Sequence, residues 1–393
     1  MLYFDHCAST PPREEVIRTM MEVMAKHYAN PSSLHQGGVE ASGLLERSRA
    51  AVAGIFGTAP AEWTFTSGGT ESNNAAIIGA VARYRNKGKH LITTQIEHPS
   101  VYDTFRKLGN EGFRVTYLPV NEQGTIEVRD LADALSEDTV MVSIMHVNNE
   151  VGSVQPIPQI GELLKQRRRV LFHVDGTQSV GKLPISLREW GVDLFSASAH
   201  KVGGPRGVGL MYARQGVQLE ALLAGGGQEQ GLRPGTENVA AIVAAAKAFR
   251  LAVEGGEARN AAMNRLRSRL VECIGTIPEL VLSGAKSAYN DDNQSVMAPH
   301  IVHFSYPGMK PEVFVHTLEE MGILASTKSA CSSRENKPSR VLLAMGLGQA
   351  RAASGIRISL GDEHREDDID YLCGKLGEAV LKLKPFERKD CKS

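Results

Sequence analysis

The feature that most constrains this chain is an alternation of short apolar runs with helical stretches between Trp63 and Tyr212. The runs are Trp63–Thr66, His90–Thr94, Arg114–Pro119, Val140–His146, Val170–Val174, Leu194–Ala197 and Val208–Tyr212. Several are almost continuously apolar, as strands covered on both faces are. Glu71–Asn86 and Pro158–Arg168 read as helices between some of them. This alternation predicts an α/β fold built on a mainly parallel, seven-stranded sheet flanked by helices. Upstream, Pro11–His27 reads as a helix. Thr10 can cap it, the prolines suit its first turn, and Val16, Ile17, Met20, Met21 and Met24 form an apolar stripe.

The pattern changes after about residue 258. Helix Asn260–Ile274, strands Leu280–Ser283, Ile301–Ser305 and Gly355–Leu360, and helices Pro311–Met321 and Asp367–Lys384 predict a smaller C-terminal α/β unit. Glu254-Gly255-Gly256-Glu257 marks the join. Residues 284–299 and 326–339 read as polar loops. A chain of 393 residues has room for two or three domains.

Lys and Arg number 44, as do Asp and Glu, so the formal net charge is zero. That balance argues against a protein built to coat nucleic acid or an anionic membrane. Arg167-Arg168-Arg169 is the one short basic cluster, and it reads as a solvated helix end. No stretch has the roughly 18 apolar residues of a membrane span, and the first residues lack a signal-peptide pattern. The cysteines are Cys7, Cys273, Cys331, Cys373 and Cys391. Their odd number, wide spacing and lack of a C-x-x-C pair argue against a disulfide framework or a structural zinc site, and suit a reducing cytoplasm. Cys273 and Cys373 read as packing residues of amphipathic helices.

Chemistry-bearing residues gather where the strands end. Thr66-Ser67-Gly68-Gly69-Thr70-Glu71 lies between a strand and a helix, where free N–H groups can hold a phosphate. It matches neither a Walker loop nor the dinucleotide fingerprint, and a tight turn capped by Thr70 or Ser67 explains it equally well. Asp175 ends an apolar strand and can pair with a protonated ring nitrogen or cap a helix. Lys201 follows another strand in Ser198-Ala199-His200-Lys201. An amine there suits a Schiff base if burial lowers its pKa, although most lysines are solvated. His98 can stack on a flat ring, shuttle a proton or cap a helix. Asn149 can donate to an anion. Arg357, inside an apolar strand, needs a carboxylate from the chain or from a substrate. Cys331 lies on a polar loop near Lys328 and Arg334, surroundings that favour a reactive thiolate. The depth of Cys7 is open at this point.

Taken together, these segments resemble the cysteine desulfurases of the NifS/IscS type, within the class V aminotransferase group of fold-type I pyridoxal-phosphate enzymes. The resemblance covers nearly the whole chain. It runs from Tyr3-Phe4-Asp5-His6-Cys7 through Asn30–His35, Thr66–Asn73, Glu97-His98, His146–Gly152 and His173–Gly181. Ser198–Gly204, Gly225–Asn238, Ser329-Ala330-Cys331 and Ile356–Gly361 continue it.

The resemblance implies pyridoxal 5'-phosphate as cofactor, carried by Lys201. Asp175 is implied to pair with the ring N–H, Gln178 to reach the ring hydroxyl, and His98 to stack on the ring and assist proton transfer. Gly69, Thr70, Ser198 and His200 are implied to bind the phosphate, with Thr236 adding a contact from the second subunit of a homodimer. Asn149 and Arg357 are implied to hold the carboxylate of L-cysteine. Cys331 is implied to accept sulfur as a persulfide, leaving L-alanine, and to pass it to a protein acceptor such as an iron–sulfur scaffold or a thiolation enzyme. No resident metal is expected, with Cys331 able to serve as a transient iron–sulfur ligand. The expected division assigns residues 15–258 to the large cofactor-binding domain. Residues 1–14 and 259–393 form the small domain with the cysteine loop. Selenocysteine lyase, or another class V enzyme that does not require Cys331, is the alternative. Lys328 and Cys7 depart from the family pattern.

Overall fold

The computed structural model describes residues 1–167, 169–327 and 337–387. A two-residue strand, β1 (Leu2–Tyr3), precedes helices α1 (Glu14–Lys26) and α2 (Gln36–Phe56). The seven strands of one sheet follow: β2 (Trp63–Thr66), β3 (His90–Thr94), β4 (Arg114–Leu118), β5 (Thr139–Met145), β6 (Leu171–Asp175), β7 (Leu194–Ser198) and β8 (Gly209–Ala213). Among them run α3 (Gly69–Tyr84), α4 (Pro99–Asn110), α5 (Val128–Ala134) and α6 (Ile157–Lys165). Helices α7 (Val239–Val253) and α8 (Gly256–Gly275) lead to β9 (Val281–Ser283) and β10 (Ile301–Ser305). Then come α9 (Pro311–Glu320), β11 (Ile323–Leu324), α10 (Arg340–Ala344), α11 (Gly348–Ala352), β12 (Gly355–Ser359) and α12 (Glu366–Leu383).

The seven apolar runs are the seven strands of the large sheet, in the order β2-β8-β7-β6-β5-β3-β4. Only β8 runs against its neighbours; every other adjacent pair is parallel. All seven residues of β5 are buried, which is why that run shows no polar alternation. The chain winds outward from β3 to β4 and then returns to place β5 on the other side of β3. Parallel sheets open a crevice at such a reversal, beyond the carboxyl ends of the strands. The segments holding His98, Asn149, Asp175 and Lys201 leave the sheet at that edge.

The C-terminal sheet has the order β12-β10-β9, with both pairs antiparallel. Helices α8, α9 and α12 cover it and share a core that includes Phe304, Phe314 and Leu372. β1 pairs in parallel with β11, and Asp5 bridges to Ser359, so the first residues belong to this part of the molecule.

Three expectations need correction. Helix α1 starts at Glu14 rather than Pro11, and Arg13, not Thr10, is its N-cap. Thr10 Oγ1 donates instead to the carbonyl of Lys201 at 3.1 Å. Of the expected stripe, Val16 is buried, whereas Ile17, Met21 and Met24 are exposed on the single chain. Finally, Cys273 and Cys373 form a disulfide, with Cα atoms 6.1 Å apart. They sit on α8 and α12, which pack side by side over the small sheet, a proximity that sequence spacing cannot show. That pairing removes the support the cysteine pattern lent to a reducing compartment.

Helices α2 and α7 were passed over in the sequence because neither has a clean apolar stripe. Gly37, Gly38 and Gly43 dilute the first half of α2. Its ends are nonetheless well marked: His35 accepts from the Gly38 N–H, and Gly57 closes the helix at φ 61°. Helix α7 is apolar nearly all round because α1 and α2 both pack against it.

Candidate active site

A cavity of about 260 Å³ lies beyond the carboxyl ends of the large sheet. It gathers Gly69, Thr70, His98 and Asn149 with Asp175, Gln178, Ser198 and His200, and it is closed by Lys201 and Arg357. Thr236 is exposed and does not line this cavity in the single chain. Cys331, Lys328 and Arg334 lie outside the described residues.

The strand termini set the floor. Asp175 is the last residue of β6 and is buried. Its Oδ1 accepts from the Thr177 N–H at 3.0 Å, and its Oδ2 accepts from Asn73 Nδ2 at 2.8 Å. Asn73 lies one turn into α3, on the cavity side, and also donates to Ser100 Oγ at 2.9 Å. Ser100 Oγ lies 2.8 Å from His98 Nδ1, and the Ser100 N–H donates to that same nitrogen at 3.2 Å. Nδ1 is thus an acceptor, which leaves the ring proton on Nε2. Burial, the largest cause, holds His98 below the usual histidine range, so the ring is neutral at neutral pH. His98 is also the N-cap of α4, the capping role being one of the readings that the sequence allows.

Lys201 ends a short 3₁₀ turn after β7. Its Nζ donates to the carbonyls of Cys7 and, at 2.9 Å, Ala8. The Gln178 amide donates to the Cys7 carbonyl at 3.1 Å. Cys7 is therefore a wall residue: it is buried and free, and burial pushes its thiol up. The neighbouring His200 is pushed down to about 4, chiefly by burial, and is neutral.

Arg357 settles its own question. It is 1% exposed; Nη2 donates to Asp5 Oδ1 at 2.9 Å and Nη1 to the Asn149 carbonyl at 2.7 Å. The chain supplies a carboxylate partner, while Nε is buried without a hydrogen-bond partner. The guanidinium therefore keeps donor capacity beside the cavity.

The residues fit pyridoxal phosphate. Ser198 Oγ and Thr177 Oγ1 are buried without partners at the cavity wall, polar atoms that lack a ligand oxygen to satisfy them. A Cβ on Gly69 would come within 3.0 Å of Thr177 Oγ1, so glycine keeps the cradle open at the N-terminus of α3. Asp175 on the floor and His98 on the wall match a cationic ring nitrogen and a flat ring.

Asn73, Ser100 and Asp5 were not named as site residues. Asn73 could have been found from its spacing, since it lies four residues after Gly69 on the same helical face. Ser100 and Asp5 show their roles only through contacts across the chain.

Residues 2–372 match the class V aminotransferase family, and the chain belongs to that family. Its cofactor is pyridoxal 5'-phosphate. Cysteine desulfurase IscS from Clostridium botulinum is 40% identical over 380 residues, covering 96% of this chain and 94% of that protein. Among solved structures, a NifS-like protein superposes with a TM-score of 0.90 at 36% identity, covering 97% of this chain and all of the other. SspA, solved in complex with cysteine, gives a TM-score of 0.77 at 34% identity over 92% of this chain and 99% of that one.

Proposed function

We propose that this chain is a cysteine desulfurase that takes sulfur from L-cysteine, releases L-alanine and leaves the sulfur as a persulfide on Cys331. The observation that carries the reading is the meeting of Lys201, Asp175, His98 and Arg357 in one cavity. When bound, pyridoxal phosphate supplies an electron sink for the substrate α-carbon. Ser198, Gly69 and Thr70 hold the phosphate, and Asp175 keeps a ring nitrogen protonated. Lys201 Nζ, steered by two carbonyls, carries the proton to and from the substrate α-carbon. Arg357 binds the substrate carboxylate, which fixes the orientation of the substrate in the cavity. The Cys331 thiolate takes the sulfur and carries it to a protein acceptor, an iron–sulfur scaffold or a thiolation enzyme. Likeness to the IscS desulfurases supports a place in the cytoplasm. Separately, among the described residues no helix is long and apolar enough to cross a membrane.

The working unit is a homodimer, in which Thr236 of a second copy completes the phosphate site. Supporting this, Met21, Met24, Tyr28, Leu34 and Val39 leave a run of exposed apolar side chains from α1 into α2, with Leu34 98% exposed. A fully active monomer at assay concentration would contradict it.

The deciding experiment measures alanine release and persulfide labelling in the wild type, Cys331→Ser and Cys7→Ser. Cys331→Ser should keep the cofactor and lose both activities, because serine is a poor nucleophile. Wild-type rates in Cys331→Ser would sink the assignment. Loss in Cys7→Ser alone would move it to the N-terminal loop.

A further inference from the structure

We propose that His6, Glu363 and His364 form a site for one divalent transition-metal ion of the zinc class. The ion would clasp the N-terminal loop to the turn between β12 and α12. The candidate ligand atoms of the three side chains all lie within 4.8 Å of one another. His6 is 4% exposed and His364 8%, while the Glu363 side chain is 58% exposed. His6 Nε2 lies 2.7 Å from Glu363 Oε1, and His6 Nδ1 is buried without a hydrogen-bond partner. Two imidazoles and a carboxylate form a donor set that suits zinc, with water in the fourth position.

The surroundings are built for convergence. The His364 ring stacks on Phe4 at 4.3 Å and meets the His6 ring edge-on at 5.4 Å, so packing fixes both imidazoles. A Cβ at Gly361 would collide with His6 Cε1 and Glu363 Oε2, so only glycine lets the side chains meet there. His6 and Glu363 also line a second cavity of about 310 Å³, which gives an ion a route in. The cations nearby are engaged elsewhere: Asp362 pairs with Arg13 at 2.7 Å, Lys182 at 3.4 Å and Arg259 at 3.5 Å. Neighbouring ligand atoms on a tetrahedral zinc lie about 3.3 Å apart, so the exposed Glu363 carboxylate, 2.7 Å from His6 Nε2, must shift slightly to admit the ion. His364 Nδ1 accepts from the Gly361 N–H at 2.8 Å, and coordination through that nitrogen exchanges this bond for the metal.

The position gives such an ion a consequence. His6 immediately precedes Cys7, whose carbonyl holds Lys201 and Gln178. A metal on His6 therefore pins the loop that orients the cofactor-bearing lysine, without touching the reacting atoms itself. The cluster joins residue 6 to residues 363 and 364, so no local spacing reveals it.

The test adds zinc chloride to the full-length, cofactor-loaded protein in a Cys331→Ser background, which removes that thiol as a competing ligand. Calorimetry should show one zinc per chain and a rise in Tm. Glu363→Gln and His364→Gln should each weaken binding by more than the ~10–100-fold that loss of an outer-shell partner costs. Glu363 is exposed, so its variant should keep the metal-free Tm, and a folding defect cannot mimic loss of the site. As a second measurement, cobalt should give the visible bands of a four-coordinate nitrogen and oxygen site. Absence of binding to the parent protein, or binding unchanged in both variants, would overturn the proposal.

Discussion

Asn73 Nδ2 donates to Asp175 at 2.8 Å and to Ser100 at 2.9 Å, and this one amide joins the cavity floor to the His98 wall. The bridge holds Ser100 Oγ against His98 Nδ1, beside the Ser100 N–H that donates to the same nitrogen, and so helps to fix the orientation of that ring.

Asn73→Ala should therefore reduce kcat more than it changes cofactor affinity. Losing a hydrogen bond to a charged group costs about 1.5–3 kcal/mol, or roughly 10–100-fold in rate. Steady-state kinetics with a cofactor titration will check this. A changed Kd with an unchanged kcat would show that Asn73 serves binding alone.

Arg357→Lys should raise KM for L-cysteine by about 10–100-fold, because an ammonium cannot span Asp5 and the Asn149 carbonyl and still present a planar fork to a carboxylate. Measuring KM and kcat together separates this from a folding defect.

Lys201→Ala should abolish turnover and the visible absorbance of the loaded protein. Among the described residues, nothing else lining the cavity offers a primary amine. A coloured, active variant would show that the lysine is misassigned.

Glu97 makes its own contribution to the pH dependence of stability. Fully buried, it is pushed up to about 8 from its ordinary 4.5, chiefly by desolvation. Its Oε1 accepts from Thr94 at 2.8 Å and from the Met145 N–H at 2.9 Å, and these bonds tie the turn before His98 to β5. The folded chain keeps its proton where the unfolded chain loses it. The contribution to stability is thus complete below about pH 4.5 and lost progressively as pH rises to about 8. Relative to Glu97→Gln, which does not titrate, the wild type should lose on the order of 5 kcal/mol across that window. Parallel denaturant melts at each pH will read the difference, and parallel curves would refute it.

The sequence was most informative where one physical constraint acts locally. Strands of the large sheet that are covered on both faces leave no polar alternation, so the bounds of β2 and β3 are legible to the residue. Asp175 and Lys201 were legible because they sit directly after such strands, where a crevice must form. The rest depends on contacts between distant segments. Nothing near Arg357 in sequence names Asp5 as its partner, and nothing near Cys273 names Cys373. Helix α7 was invisible for the opposite reason: an all-round apolar helix has no period to read.

The pairing of β1 with β11, and of Asp5 with Ser359, bears on how the protein is made. Residues 2–8, made well before the segments they pair with, include the wall that holds Lys201. They find their seat only after residues 324 and 359 have followed them out. The large sheet can assemble during synthesis, but the pocket cannot. Cofactor capture must therefore wait until β12 has been made, and a fragment stalled before it would carry the catalytic lysine with no wall to aim it.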